Sequence, residues 1–107
     1  MNKKVIDIAK DFSFKPFGRY KEDGKFNGTR FRDEILAPAL KNHENVEVKL
    51  DGVISFGSSF LEESFGGLIR SKVIDKETLL KKLTITTTHQ DYKEEIIYYI
   101  NHPYESR

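Results

Sequence analysis

The chain has 107 residues, of which 18 are Lys or Arg and 17 are Asp or Glu, for a formal net charge of +1. That length suits one domain with a single modest core and is too short for two. Near-balanced charge argues against a global field for nucleic acid. The lack of any cysteine excludes a disulfide framework, a thiolate metal site and a cysteine nucleophile.

Charge is nevertheless uneven. Residues 1–32 hold nine basic and four acidic side chains, a net of +5, which leaves −4 for the remainder. Solvated lysines are the common cause of such a bias, and an acidic or phosphorylated partner is the sharper one. The opening MNKKVIDIAK lacks the apolar core of a signal peptide, and no later run is apolar enough to span a bilayer. A cytoplasmic setting without membrane attachment is the expectation.

In chain order, Val5-Ile6-Asp7-Ile8 is β-branched and predicts a first strand within 4–9. Residues 12–28, FSFKPFGRYKEDGKFNG, mix aromatics, Gly, Pro and charge. With Asp23-Gly24 and Asn27-Gly28 as turn dipeptides, they predict a hairpin or a structured loop. A helix over about 29–42 follows from Phe31, Ile35 and Ala39 at i, i+4 and i+8, bent or restarted at Pro38. Val46, Val48 and Leu50 alternate in a second strand over 45–51. The next helix, about 59–70, carries Leu61, Phe65 and Leu68 on one stripe. Ser59-x-x-Glu62 has capping-box spacing, and Gly66-Gly67 inside the helix predicts a close backbone contact. Asp75 opens a short helix with Leu79, Leu80 and Leu83, residues 83–88 (LTITTT) predict a third strand, and Asp91-x-x-Glu94 caps a last helix over 91–101 that Pro103 stops. Strands alternating with helices predict a single α/β domain with a small, mostly parallel sheet.

Three groups of residues bear on chemistry. Ser55, Ser58 and Ser59 lie near Asp51, but none of His43, His89 and His102 falls in a motif that would aim it at a serine, and no G-x-S-x-G elbow is present. Helix capping outweighs nucleophilic catalysis there by roughly ten to one, as serine caps are common. The histidine spacing matches no compact metal motif, so neither a metal nor another cofactor is expected. The third group is the loop with Arg19, Tyr20, Asp23, Gly24, Asn27 and Gly28, leading to Arg32 in the helix start. Glycine lets backbone N–H groups approach a ligand, and arginine pairs with phosphate or carboxylate. The plainer reading is a tight loop whose arginines pair with acids of the same domain.

From Gly18 to Thr88 the chain resembles the STAS-like domain of unknown function, small bacterial and phage-associated proteins related to the anti-sigma factor antagonists. GRY–DG–NG–FR carries the likeness in the first half and SSFLEESFGGLIR, the more specific motif, in the second. The resemblance implies a STAS-like domain with its core over about 18–88, flanked by the first strand and the last helix. It also implies a non-enzymatic regulatory role. In the antagonists a serine at a helix start is phosphorylated by an anti-sigma factor of the histidine-kinase ATPase type, which then releases the antagonist.

Carried over, Ser58 takes that position and Ser59 is its neighbour, with Phe60 completing the surface. Gly57 stands where the family has an acid, and Phe60 where it has a glycine. The implied partner is a histidine-kinase-type ATPase, without nucleic acid or membrane. The alternative is a sensor in which the Arg19/Arg32 loop and the Ser58/Ser59 helix tip enclose an anion or nucleotide.

Overall fold

The structure, a computed structural model, describes residues 2–105. Strands β1 (Lys3–Asp7), β2 (Asn45–Lys49) and β3 (Leu83–Thr86) pair in that order, all parallel. The register sets Ile6 beside Val48 and Val48 beside Ile85. Because side chains alternate along a strand, this row faces one way and forms the apolar floor of the core. Ile6, Val46, Val48 and Ile85 are buried, while Val5, Lys49, Thr84 and Thr86 on the reverse face are exposed. All helices therefore serve one face, and the architecture is a two-layer α/β domain. The open reverse face is unusual for a parallel sheet, which normally has both faces covered.

A single turn, α1 (Ile8–Asp11), leaves β1, with the Asp7 carboxylate accepting from Lys10 N at 3.3 Å. Helix α2 covers 28–42 in three parts: an α turn Gly28–Phe31, a π-helical stretch Arg32–Leu36, and Ala37–Asn42. Pro38 explains the middle part. It has no N–H to offer, and its ring crowds the carbonyl four residues back, so the chain widens before it. Widening adds Leu36 and Leu40 to the buried side. Of the predicted stripe, Phe31 and Ala39 are buried, while Ile35 is only half-buried and Leu36 takes its place.

Helix α3 covers 58–70 and is also interrupted by a π-helical stretch, Glu62–Gly66. Leu61, Phe65 and Leu68 are fully buried as expected, and every residue from 61 to 68 is buried. A helix covered on all sides is the centre of the domain. The Gly66-Gly67 pair has the predicted explanation. A Cβ on Gly66 would lie 2.7 Å from Glu62 Oε2 and 3.3 Å from the Tyr99 carbonyl, and one on Gly67 would collide with the Arg32 guanidinium. Helix α4 (Lys76–Lys82) leads into β3, and α5 (Gln90–Asn101) lays Ile96 and Ile100 against the core.

Between α1 and α2 the chain makes no hairpin; residues 12–27 form a loop around one 3₁₀ turn, Lys21–Asp23. Aromatic contacts tie it down. Phe12 meets Phe26 edge-on at 5.3 Å and Phe31 at 5.2 Å, and Phe31 continues to Phe60 and Phe65. None of the helices among the described residues is long and apolar enough to cross a membrane.

Candidate functional site

Parallel strands deliver their C-terminal ends to one side, where the connecting loops meet and ligands or partners of open α/β sheets bind. Here those loops are 12–27 and 50–57, joined by the Ile54 N–H donating to the Phe14 carbonyl at 2.9 Å. The N-terminus of α3 opens into the same region.

Loop 12–27 is held by its own turn residues. The Asp23 carboxylate accepts from Arg19 N at 2.9 Å and Tyr20 N at 3.0 Å. Those backbone bonds, from Tyr20 first and then Arg19, hold the carboxyl below the usual aspartate range. Asn27 caps α2, its side-chain oxygen accepting from Arg30 N at 2.9 Å and its amide donating to the Gly24 carbonyl at 2.7 Å. Gly18 adopts a φ of +83°, where a side chain would also overlap Asp23, so this turn requires glycine. Gly28 N–H donates to the Gly18 carbonyl and Thr29 N–H to the Arg19 carbonyl. With the Arg19 backbone fixed on α2, its side chain turns inward.

What it meets is a buried ionic cluster. Glu62 and Glu63 are 1% and 6% exposed. Arg19 bonds Glu62 and, at 3.3 Å, Glu63 Oε1. Arg32 Nη1 donates to Glu63 Oε2 at 2.6 Å, and its Nε to Asp33. Arg70 Nη2 lies 3.0 Å from both Glu62 Oε1 and Glu63 Oε1, while its Nη1 bonds Glu62 and the Pro103 carbonyl. Burial works against the Arg19 charge, but the bonds to Glu62 and Glu63 outweigh it and its pKa rises. Arg32 behaves likewise through Asp33 and Glu63. Loop 12–27, α2, α3 and the segment after α5 are thereby fastened at one point.

The arrangement corrects two expectations. Glu62 does not complete a capping box with Ser59; Gly57 is the N-cap of α3, without a side-chain bond, and Ser58 and Ser59 occupy the first turn. Nor are the Arg19 and Arg32 guanidiniums available to an anion, since both are committed to carboxylates. The cleft of about 300 Å³ beside the serines is lined by Phe17, Gly18, Asp23, Gly57, Ser58, Ser59 and Phe60, with an acid in place of the arginines.

The remaining candidates are scattered in accessibility. Ser58, Ser59, Tyr20 and Asp23 are exposed, Gly24 is half-buried, and Asn27, Gly28 and Phe60 are buried and serve the fold. Gly28 is buried for a reason: a Cβ there would stand 2.9 Å from the Phe60 carbonyl, where α2 and α3 approach backbone to backbone. Ser58 lies beside Tyr99 of α5. The Tyr99 hydroxyl donates to Glu95 Oε2 at 2.6 Å, and burial together with Glu95 pushes its pKa up to about 12, with Ser58 pulling the other way.

Sequence reasoning missed the exposed apolar side chains of the loops next to the serines. Phe14, Phe17 and Ile54 are 55%, 67% and 67% exposed, in the two loops that meet at the α3 N-terminus. Three large apolar side chains in adjoining loops form a patch of the kind that marks interaction sites. Their signal was present in FSFKPF, whose aromatics outnumber what one loop can bury. Glu63 and Arg70 were missed as well.

The histidines are occupied locally. His43 Nδ1 lies 3.1 Å from the Ala39 carbonyl and His102 Nδ1 2.9 Å from that of Tyr98, and His89 packs edge-on to Tyr92. Asp51 accepts from Thr87 Oγ1 and Thr88 N. Among the described residues no group of three or more His, Cys, Asp or Glu is placed to hold a metal ion.

A family model described as the STAS-like domain of unknown function matches residues 27–93. Neither the curated proteins nor the solved structures give a match. The chain belongs to the STAS-like family.

Proposed function

We propose, with membership of the STAS-like family as the premise, that this domain is a non-enzymatic regulator that acts by binding a protein partner, a histidine-kinase-type ATPase of the cytoplasm. The observation that carries this reading is the exposure of Ser58 and Ser59 at the first turn of the central helix, in a cleft shared with the exposed Phe17, with exposed Phe14 and Ile54 in the adjoining loops. A partner gains affinity from these exposed apolar side chains, and a modification on the serine beside Phe17 can remove that affinity. A phosphate on Ser58 adds about −1.5 to −2 charges. At a helix N-terminus the domain itself tolerates that charge, but an apolar opposing surface would have to desolvate it. Tyr99 and Glu95 beside Ser58 give the charge a second effect, because Glu95 is repelled.

The test combines the purified chain with such an ATPase from the same organism and ATP, followed by intact-mass analysis. Addition of one phosphate to wild type and none to Ser58→Ala is the expected result, with Ser58→Asp binding the partner at least tenfold more weakly at unchanged thermal stability. An unmodified Ser58, together with wild-type affinity for Ser58→Asp and for Phe17→Ala, would remove the proposal.

A further inference from the structure

The two edges of the sheet are not equivalent. On the β1 side the backbone is guarded: Asp7 N–H is already taken by the Asp11 carboxylate at 2.8 Å, and Lys3, Lys4 and Asp7 place charges along the strand. Such charges are how natural sheets discourage pairing with another chain. Among the described residues the β3 side has no such guard. Leu83-Thr84-Ile85-Thr86 and the following Thr87 and Thr88 contain no charge, no proline and no bulge, and β3 packs on β2 and on the α4 helix that leads into it.

The hydrogen bonding shows what that edge offers. Leu50 N–H donates to the Thr86 carbonyl at 3.0 Å, so Thr86 turns its backbone groups toward β2. In a parallel ladder alternate residues do this, and the intervening residues point their N–H and C=O outward. Ile85 and Thr87 are therefore the outward residues, while Leu83 offers its carbonyl, its N–H being used by the Leu79 carbonyl of α4.

We infer that β3 is a self-association edge, where a second copy of this chain pairs antiparallel about a two-fold axis at Ile85 and joins two sheets into one. That register exchanges N–H···O bonds between the two Ile85 residues and lets each Thr87 N–H donate to the Leu83 carbonyl of the other copy. Thr84 falls opposite Thr86 on the solvent face, a favourable cross-strand pair, and no like charges meet along the strands. The ends are complementary as well. The exposed Lys81 at the entry to β3 is brought to the exit of the other copy, where Asp51 bonds Thr87 and Thr88, while Lys82 is held by the Leu40 carbonyl. Leu80 on α4, 39% exposed and just before the strand, adds an apolar contact at the flank.

So short a strand pair gives a weak, concentration-dependent dimer, which sedimentation velocity between about 10 µM and 1 mM resolves. The expected result is a mass rising from 12.4 kDa toward twice that value with concentration. The double variant T84K/T86K sets like charges opposite each other on solvent-facing positions. It is expected to weaken association at least tenfold while leaving the circular dichroism spectrum unchanged. Val5→Lys on β1 is the control and is expected to associate like wild type. Hydrogen exchange of wild type, with the Ile85 amide gaining protection as concentration rises, decides the matter should the double variant misfold. Wild type that stays monomeric to 1 mM, a dimer unaffected by T84K/T86K, or one broken by Val5→Lys would overturn the inference.

Discussion

Replacing Glu62 by glutamine keeps the side-chain volume and removes one charge from the centre of the domain. Glu62 is 1% exposed and is shared by Arg19 and Arg70, so its loss leaves Glu63 as the one buried carboxylate for three guanidiniums. Arg70 cannot relax into water, because only 8% of its side chain is exposed. Breaking a buried pair from one side costs about 3–5 kcal/mol. Against a total stability of about 5–15 kcal/mol for a domain of this size, that is a large fraction.

Arg19→Gln should cost less, about 1–2 kcal/mol, because Glu62 keeps its two bonds to Arg70 and Arg19 lies nearest to solvent of the three. Urea denaturation of wild type and both variants reads the two costs from the midpoints at unchanged slope. Buried charges are weakly screened, so the Glu62→Gln cost should persist when salt is raised to about 1 M. A Glu62→Gln cost under about 1 kcal/mol, or one smaller than that of Arg19→Gln, would refute the reasoning that these charges are desolvated and mutually dependent.

Phe65→Ala should lose about 3–5 kcal/mol in the same titration, the range for removing a fully buried phenylalanine. Gly57→Asp should instead stabilise by about 0.5–1 kcal/mol: φ is −79°, a Cβ there meets nothing within 4 Å, and an aspartate at the N-cap can accept a helix N–H. A lower thermal midpoint for that variant would show the N-terminus of α3 to be less open than described. Tyr99 predicts an alkaline transition. Its raised pKa means that the folded chain holds the phenolic proton longer than the unfolded one. Its contribution is therefore complete below the ordinary tyrosine value of about 10 and lost as pH rises through about 12. Tyr99→Phe should flatten the fall in urea midpoint across that window, and an unchanged slope would assign the fall to other groups.

How much of this was legible in the sequence depended on local periodicity. Val46, Val48 and Leu50 alternate strictly, and Leu61, Phe65 and Leu68 keep helical spacing, so strand β2 and the buried stripe of α3 needed nothing from elsewhere in the chain. Along α2 the pattern held at Phe31 and Ala39 but gave Ile35 where Leu36 is buried, because a π-helical stretch inserts a residue that no periodicity announces until Pro38 is given its steric due. Glu62 was harder. Three residues after a serine at a helix start, a glutamate has a local role ready for it, and nothing nearby indicates that Arg19, 43 positions away, supplies a competing partner. The usable signals were Gly66-Gly67, which predict that something approaches α3 closely, and the charge of GRY–FR, which needs a counter-ion.

The two roles for Glu62 are mutually exclusive. A carboxylate reaching back to the helix start would leave Arg19 and Arg70 with Glu63 alone and loop 12–27 without its buried anchor. Phe17, which that loop presents beside Ser58, would then lose its fixed position. The chemistry proposed at the serines therefore depends on an ion cluster on the neighbouring turn of the same helix, and Arg19→Gln should weaken partner binding by loosening the loop even though Arg19 faces away from the cleft.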